Sequence, residues 1–159
     1  MAINPNTTFV AGAIYTADQA NRLPFGVCDL ATSTTSYTLT TTVTIATGMT
    51  ASFTAITGRL YKITYYEPQA GVASVAGQFT TLQIRETNAA GTQLQLAFNQ
   101  AAAAAATAET LTAVYVGTFT AGAVTVVGCA LTSSTTGAPV LTRNATRIAI
   151  LLVEDIGPS

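Results

Sequence analysis

The chain has 159 residues, of which six are lysine or arginine and seven are aspartate or glutamate, and it contains no histidine. Charged residues make up 8% of the sequence, against roughly 25% in an ordinary soluble domain. This composition excludes nucleophile–histidine catalysis. The basic residues are scattered singly, so no patch could neutralise nucleic-acid phosphates. The length fits one domain with a core of its own.

The first 24 residues differ from the remainder. The stretch from Ala2 to Ala13 is largely polar and predicts an extended arm, which can either dock on a partner or simply fray. Thr16-Ala17-Asp18-Gln19 is a helix-start pattern, because threonine can cap the helix and glutamine can reach back. Pro24 limits this helix to about two turns. We therefore predict an arm and short helix over residues 1–24 and a β domain over residues 25–159.

From Phe25 onward, apolar side chains recur at every second position. This period predicts half-buried strands with threonine facing outward. Clear cases are Tyr37 to Ile45, Leu60 to Tyr66 and Thr92 to Phe98. The final strand candidate, Ala145 to Val153, is apolar on both faces, so we expect it to lie inside a sheet rather than at its edge.

Two turns predict hairpins. Asn88-Ala89-Ala90-Gly91 separates one pair of strand candidates, and Ala121-Gly122 separates Thr110 to Thr120 from Ala123 to Thr132. The six alanines from Ala101 to Ala106 are too short for an independent helix, so we expect a loop with one helical turn. Eight or nine short strands without alternating helices predict an all-β fold, an antiparallel jelly-roll sandwich of about eight strands.

Groups that could carry chemistry are few and dispersed. Glu154 and Asp155 are neighbours on a strand, so their side chains point to opposite faces, and we expect the carboxylates to lie on the surface. Cys28 and Cys129 are too few to hold a zinc ion. We expect them to be reduced and buried, with a disulfide as the alternative. No phosphate-binding or calcium-loop pattern is present. We therefore expect no enzyme activity, cofactor, metal or small-molecule substrate.

Membrane association is also not expected. The longest strongly apolar stretch, Ile148 to Val153, has six residues, whereas a membrane helix needs about 20. The N-terminus carries no positive charge before an apolar run, so it does not resemble a secretory signal.

The surface itself is then the main feature. Edge strands would lack the lysines that usually protect them, and burial between copies in a symmetric oligomer would solve that problem. Tyrosine is amphipathic and enriched in interface cores. We predict that Tyr61, Tyr65 and Tyr115 contribute to the contact between copies.

Two segments carry a family resemblance. The segment from Phe9 to Gly26, FVAGAIYTADQANRLPFG, resembles the start of small virion proteins of tailed bacteriophages, and Leu151 to Pro158, LLVEDIGP, resembles their closing strand. The resemblance implies a trimeric jelly roll, similar in shape to tumour-necrosis-factor-like heads. Such trimers serve as capsid decoration (cement) proteins or as parts of tail fibres. The compact length favours decoration, because a fibre protein would carry a longer shaft.

The resemblance also implies partners and a location. The protein would form a homotrimer, bind the major capsid protein and sit on the capsid surface of a virion, after synthesis in the bacterial cytoplasm. The arm would reach the capsid. The alternative is a tail-fibre or receptor-binding module that recognises a host surface through loops such as Ser133 to Pro139 and Asn99 to Ala108. We assign these residues of the arm to capsid binding: Ile3, Asn4, Pro5, Phe9 and Tyr15.

Overall fold

The computed structural model describes residues 23–72, 76–101 and 107–159. Every helix or strand assigned within these ranges is a β-strand. The ten strands are β1 (Gly26–Ser33), β2 (Tyr37–Thr38), β3 (Thr44–Ala55), β4 (Arg59–Val72), β5 (Phe79–Glu86), β6 (Gln93–Gln100), β7 (Thr107–Gly117), β8 (Gly122–Thr132), β9 (Val140–Leu141) and β10 (Ala149–Pro158).

The strands form two antiparallel sheets. In the first sheet β10 lies between β1 and β4, and β7 pairs with the other side of β4. The short strands β9 and β2 extend this sheet from Ala70 near the end of β4. The second sheet has the order β3-β8-β5-β6. The four ribbons β1–β10, β3–β8, β4–β7 and β5–β6 are nested within one another, which is the strand arrangement of a jelly roll. The predicted fold is therefore confirmed.

The core lies between the two sheets and follows the alternation of the strands. On β4 the buried side chains include Tyr61, Ile63 and Tyr65, and on β10 they include Leu151 and Val153. Full burial of side chains of this size contributes about 1.5–3 kcal/mol each. Rings close the end of the core where β3 meets β4, and they comprise Phe53, Tyr61, Tyr115 and Phe119.

One predicted hairpin is confirmed and the other is wrong. β5 and β6 pair around the turn at Asn88–Gly91, where the Glu86 amide donates to the Thr92 carbonyl at 3.0 Å. β7 and β8 belong to different sheets, so Ala121-Gly122 carries the chain from one sheet to the other. Strand periodicity identifies both segments but does not identify the strands with which they pair.

Two further strand predictions change. The candidate from Tyr37 to Ile45 is divided between β2 and the start of β3. On β6, Leu96 and Phe98 point away from the core, because Ala97 faces inward with its partner Leu82. The prediction that the last strand is internal is confirmed by the position of β10.

Two sequence predictions concern residues that the structure does not describe. The predicted arm and short helix lie outside the described residues, apart from Leu23 and Pro24. The same holds for the alanine run beyond Ala101. Over the ranges that the structure describes, no helix is long and apolar enough to cross a membrane.

Candidate assembly surface

Two ion pairs are formed by buried side chains. The first pair lies in the core. Arg143 and Glu67 have fully buried side chains. Nε of Arg143 donates to Oε2 of Glu67 at 3.0 Å, and Nη2 donates to Oε1. Nη1 donates to the carbonyls of Thr35 and Thr47 at 3.3 and 2.7 Å. The hydroxyl of Tyr65 donates to Oε1 at 2.6 Å. The pair therefore ties β4 to β3 and to the segments around β2 and β9.

The second pair joins Arg59 and Asp155 at the end of the sandwich where β1 begins. Nε and Nη2 of Arg59 donate to the two carboxylate oxygens at 2.8 and 2.5 Å. Nη2 also donates to the Leu23 carbonyl at 2.7 Å, and the guanidinium lies 3.8 Å from the centre of the Phe25 ring. The Gly157 amide donates to Asp155 at 3.0 Å. The pair fixes the point at which residues 23–25 join the domain.

The expectation that the carboxylates lie on the surface is wrong for Glu67 and Asp155. Both are buried because each continues the inward alternation of its strand. Glu67 follows Tyr65 by two positions, and Asp155 follows Val153 by two. The period of two could have identified both positions. The expected separation of Glu154 and Asp155 is confirmed, since Glu154 points outward and pairs with Lys62.

The outward side of the first sheet carries mostly apolar side chains, and we call it the apolar face. Register places its side chains in rows that cross β1, β10, β4 and β7. Leu30 is 53% exposed and Val114 is 41% exposed. The three rows are Leu30, Leu152, Thr64 and Val114; Thr32, Ile150, Tyr66 and Thr112; and Val27, Glu154, Lys62 and Val116.

Charge is almost absent from these rows. They contain one cation and one anion, Lys62 and Glu154, whose Nζ and Oε2 atoms lie 3.2 Å apart. Both side chains remain partly exposed, so the pair stabilises the isolated chain by no more than about 1 kcal/mol. Seven of the twelve side chains in these rows are aliphatic or tyrosine and three are threonine, and the ion pair lies in the row nearest the start of β1.

The outward side of the second sheet differs in character. Its polar side chains bind one another: Nε of Arg85 donates to Gln83 at 2.6 Å, and Nη2 donates to Gln93 at 3.4 Å. Phe98 is the most exposed large apolar side chain there, at 60%, and Ile45 and Leu96 are also exposed. Apolar groups on β3 and β6 therefore flank the polar side chains of β5 on this side.

The edges of the two sheets are tied to each other by side chains. Asp29 on β1 accepts a hydrogen bond from the amide of Ser52 on β3 at 2.6 Å. Gln95 on β6 donates to the carbonyl of Val114 on β7 at 3.2 Å. These bonds occupy backbone groups on edge strands, which would otherwise be available to another strand.

The structure moves the proposed contact away from the tyrosines. Tyr61 and Tyr65 are 1% and 0% exposed within a single chain, so their assignment to a contact between copies does not hold. Burial among apolar groups and the neighbouring Glu67 carboxylate raise the pKa of Tyr65 well above its ordinary value. Tyr115 pairs with Ile63 and contacts Phe119. Its role between copies stays a prediction.

The proposed capsid-binding residues of the arm, Ile3, Asn4, Pro5, Phe9 and Tyr15, lie outside the described residues. The structure shows only where their segment joins the domain, at the Leu23 carbonyl that Arg59 binds.

Two open depressions lie at the end of the sandwich where residues 23–25 join. One of about 350 Å³ is lined by Glu86 and Thr87, by Phe119 and its neighbours in the β7–β8 connection, and by the start of β8. The other, of about 330 Å³, is lined by Phe25, Ile56 and Arg59 among others. The described residues hold no cluster of three potential metal ligands.

The two cysteines differ in exposure, and neither forms a disulfide. Cys129 is buried on β8 as expected, and burial raises the pKa of its thiol to about 11. Cys28 is exposed on β1, contrary to expectation, because the strand bulges between Val27 and Asp29. Partial burial raises the pKa of the Cys28 thiol as well.

Thiol titration should therefore separate the two cysteines. With Ellman's reagent at pH 8, we expect one thiol per native chain to react quickly, and that thiol is Cys28. Cys129 should react only in denaturant, because it is covered and its thiolate is scarce below a pKa of about 11. The Cys28→Ser variant is the control and should show no fast phase. Two fast equivalents in the native protein would contradict the placement of Cys129.

No protein-family model matches this sequence, and no curated protein does. Among solved structures, those of the infectious bursal disease virus Gt and Gx strains are 14% and 13% identical, with TM-scores of 0.26. VP2 in a subviral particle of the same virus is 14% identical, with a TM-score of 0.22. Each match covers 98% of this chain, which spans about half (47%) of the matched chain. Similarity at this level adds nothing to the fold that the strand order already shows.

Proposed function

We propose that this chain is a non-enzymatic structural protein of a bacteriophage virion, a trimeric capsid decoration protein that stabilises the capsid lattice. The observation that carries the proposal is the apolar face, on which Val27, Leu30, Val114 and Val116 are exposed and which carries one ion pair. Contiguous exposed apolar surface of this kind marks a site of interaction. The resemblance of residues 9–26 and 151–158 to small phage virion proteins supplies the kind of particle.

The use of the charged groups supports a structural role. Arg143, Glu67, Arg59 and Asp155 form ion pairs inside the domain. Lys62 and Glu154 pair on the apolar face. Six of the thirteen charged residues of the sequence therefore pair within the chain, and four of these six are buried.

The proposed mechanism is mechanical. Each trimer would bridge neighbouring subunits of the major capsid protein and would add buried area where packed genome pushes the shell outward. The arm would bind the capsid. Its segment joins the domain at Leu23, which Arg59 holds while also binding Asp155 on β10. A load on the arm would therefore pass to an internal strand of the first sheet.

Removing residues 2–13 should separate assembly from capsid binding. We expect the shortened protein to remain a folded trimer by light scattering and circular dichroism, because the strands that form the domain begin at Gly26. It should no longer bind capsids in a sedimentation assay. A variant with alanine at Asn6, Thr7 and Thr8 only is the control and should still bind. Undiminished capsid binding by the shortened protein would contradict the role of the arm.

Particle imaging tests the proposal as a whole. Gold labelling of an epitope-tagged copy on purified virions should mark the capsid surface, with tens to hundreds of copies per particle. A few copies at the tail tip would instead support the tail-fibre or receptor-binding alternative. Absence from the particle would overturn both.

A further inference from the structure

We infer that the depression lined by Glu86, Thr87 and Phe119 receives an arginine side chain of a partner protein, whose guanidinium pairs with the Glu86 carboxylate. The inference deepens the proposed function and rests on it for the identity of that partner, which would be the major capsid protein. The depression itself belongs to this chain alone, so binding of a guanidinium can be measured without the capsid.

Alternation along β5 points Glu86 toward the inside of the sandwich. Ile84 is buried in the core, and Glu86 follows it by two positions, opposite the buried Val126 of β8. The strand ends at Glu86, and the side chain lines the depression at this end of the two sheets. The residue is partly exposed there. Glu86 therefore presents its carboxylate to an opening between the sheets and not to the outer side of one.

Two other carboxylates continue an inward alternation in the same way, and each has a cation from this chain. Glu67 pairs with Arg143, and Asp155 pairs with Arg59. Among the residues that the structure describes, no ion pair or side-chain hydrogen bond engages the Glu86 carboxylate. Partial burial of a charge without a partner is unfavourable. A cation from another molecule would therefore be stabilised beside Glu86.

The arginine next to Glu86 in the sequence does not supply that cation. Arg85 pairs with Val127 in register and points to the outer side of the second sheet. There its Nε donates to Gln83 at 2.6 Å, and its Nη1 donates to the Gly91 carbonyl at 2.8 Å. These bonds hold the guanidinium of Arg85 away from the depression.

The other lining residues favour a guanidinium over an ammonium group. A guanidinium can donate two parallel hydrogen bonds to a carboxylate and can also stack on an aromatic ring. Phe119 supplies a ring in the lining. The volume of about 350 Å³ lies within the range of about 300–1,000 Å³ that holds small ligands. Small residues keep the β7–β8 side open, and a Cβ atom on Gly122 would meet nothing within 4 Å.

The depression lies at the end of the sandwich where the N-terminal segment joins the domain. The ring of Phe119 contacts Tyr61 near the start of β4, with 5.9 Å between the ring centres. Arg59, the first residue of β4, binds the Leu23 carbonyl. A capsid subunit that binds the arm would therefore lie at the same end of the domain as Glu86. This position makes the capsid the partner whose arginine we expect in the depression.

The first test titrates the full-length protein with arginine amide and follows the backbone amide signals by NMR. We expect saturable shifts at Thr87 and Gly122, which line the depression. Citrulline amide, which is neutral and similar in shape, should cause little shift. Glu86→Gln should weaken the binding of arginine amide by roughly tenfold, as expected for the loss of a charged hydrogen-bond partner. Glu109→Gln is the matched control, because it removes the same charge from an exposed position toward the other end of β7.

The second test compares the variants in a capsid sedimentation assay. Glu86→Gln should weaken capsid binding by roughly tenfold, and Glu109→Gln should not. Ala121→Leu, which adds bulk to the lining without changing charge, should weaken binding as well.

Three results would overturn the inference: no shifts with arginine amide, equal shifts with citrulline amide, or unchanged capsid binding by Glu86→Gln. Failure of the proposed function looks different. In that case the unmodified protein would not bind capsids, while arginine amide would still bind beside Glu86, and the guanidinium site would stand with another protein as its partner.

Discussion

Replacing Arg143 with methionine is expected to cost about 3–5 kcal/mol of the free energy of unfolding. The substitution leaves the carboxylate of Glu67 in a fully buried position without its cation. It also removes the donors that bind the carbonyls of Thr35 and Thr47. Urea denaturation followed by tyrosine fluorescence measures the loss, provided that the variant is compared at the same protein concentration.

A second substitution and a control identify the cause. Adding Glu67→Met to Arg143→Met should recover most of the lost stability, because an apolar pair of similar volume replaces a buried ion pair at little cost. Recovery should be incomplete, since the Tyr65 hydroxyl loses its acceptor. Arg147→Met, at an exposed position nearby, should change stability by less than about 0.5 kcal/mol. A loss below about 1 kcal/mol for Arg143→Met would show that the pair is not essential to the core.

Replacing Gly91 with alanine is expected to destabilise the β5–β6 hairpin by about 1–3 kcal/mol. A Cβ atom at this position would lie 1.7 Å from the carbonyl oxygen of Glu86. Because the Cβ atom would clash with a backbone atom and not with a flexible side chain, the backbone of the turn would have to move. That movement would strain the bond from the Gly91 amide to Asn88 and the bond from Arg85 to the Gly91 carbonyl.

The neighbouring residue supplies the control for the turn. Ala90 is exposed, and Ala90→Gly should cost less than about 1 kcal/mol, as expected from added backbone freedom alone. Hydrogen exchange of the Glu86 amide, which donates to Thr92, should accelerate in Gly91→Ala and stay slow in Ala90→Gly. Equal stability of the two variants would contradict the close approach at Gly91.

Much of the fold could be predicted because apolar and polar side chains alternate along most of the strands. Tyr61, Ile63 and Tyr65 share the inward side of β4, and the apolar β10 lies between two other strands. Pairing between distant strands could not be predicted, since it depends on how whole ribbons nest. The sequence therefore places Ala121-Gly122 in a turn but does not reveal that the turn joins two sheets.

The candidate site was predicted less well for a related physical reason. Scarcity of charge indicated contact between copies, but it did not say which side of which strand remains exposed. Tyr61 and Tyr65 have the chemistry of interface residues, but they alternate with Lys62 and Thr64, which indicates the inward side of β4. Leu30 and Val114 are ordinary strand residues until cross-strand register places them in one row.

The position of β10 has a consequence for co-translational folding. This strand is made after the other nine, yet it fills the gap between β1 and β4. Until Ala149–Pro158 has been translated and has left the exit tunnel, two earlier strands keep unsatisfied backbone groups along facing edges. Such a nascent polypeptide is prone to aggregate and to engage chaperones. Closure of the first sheet therefore has to wait until β10 is available to pair with both neighbours.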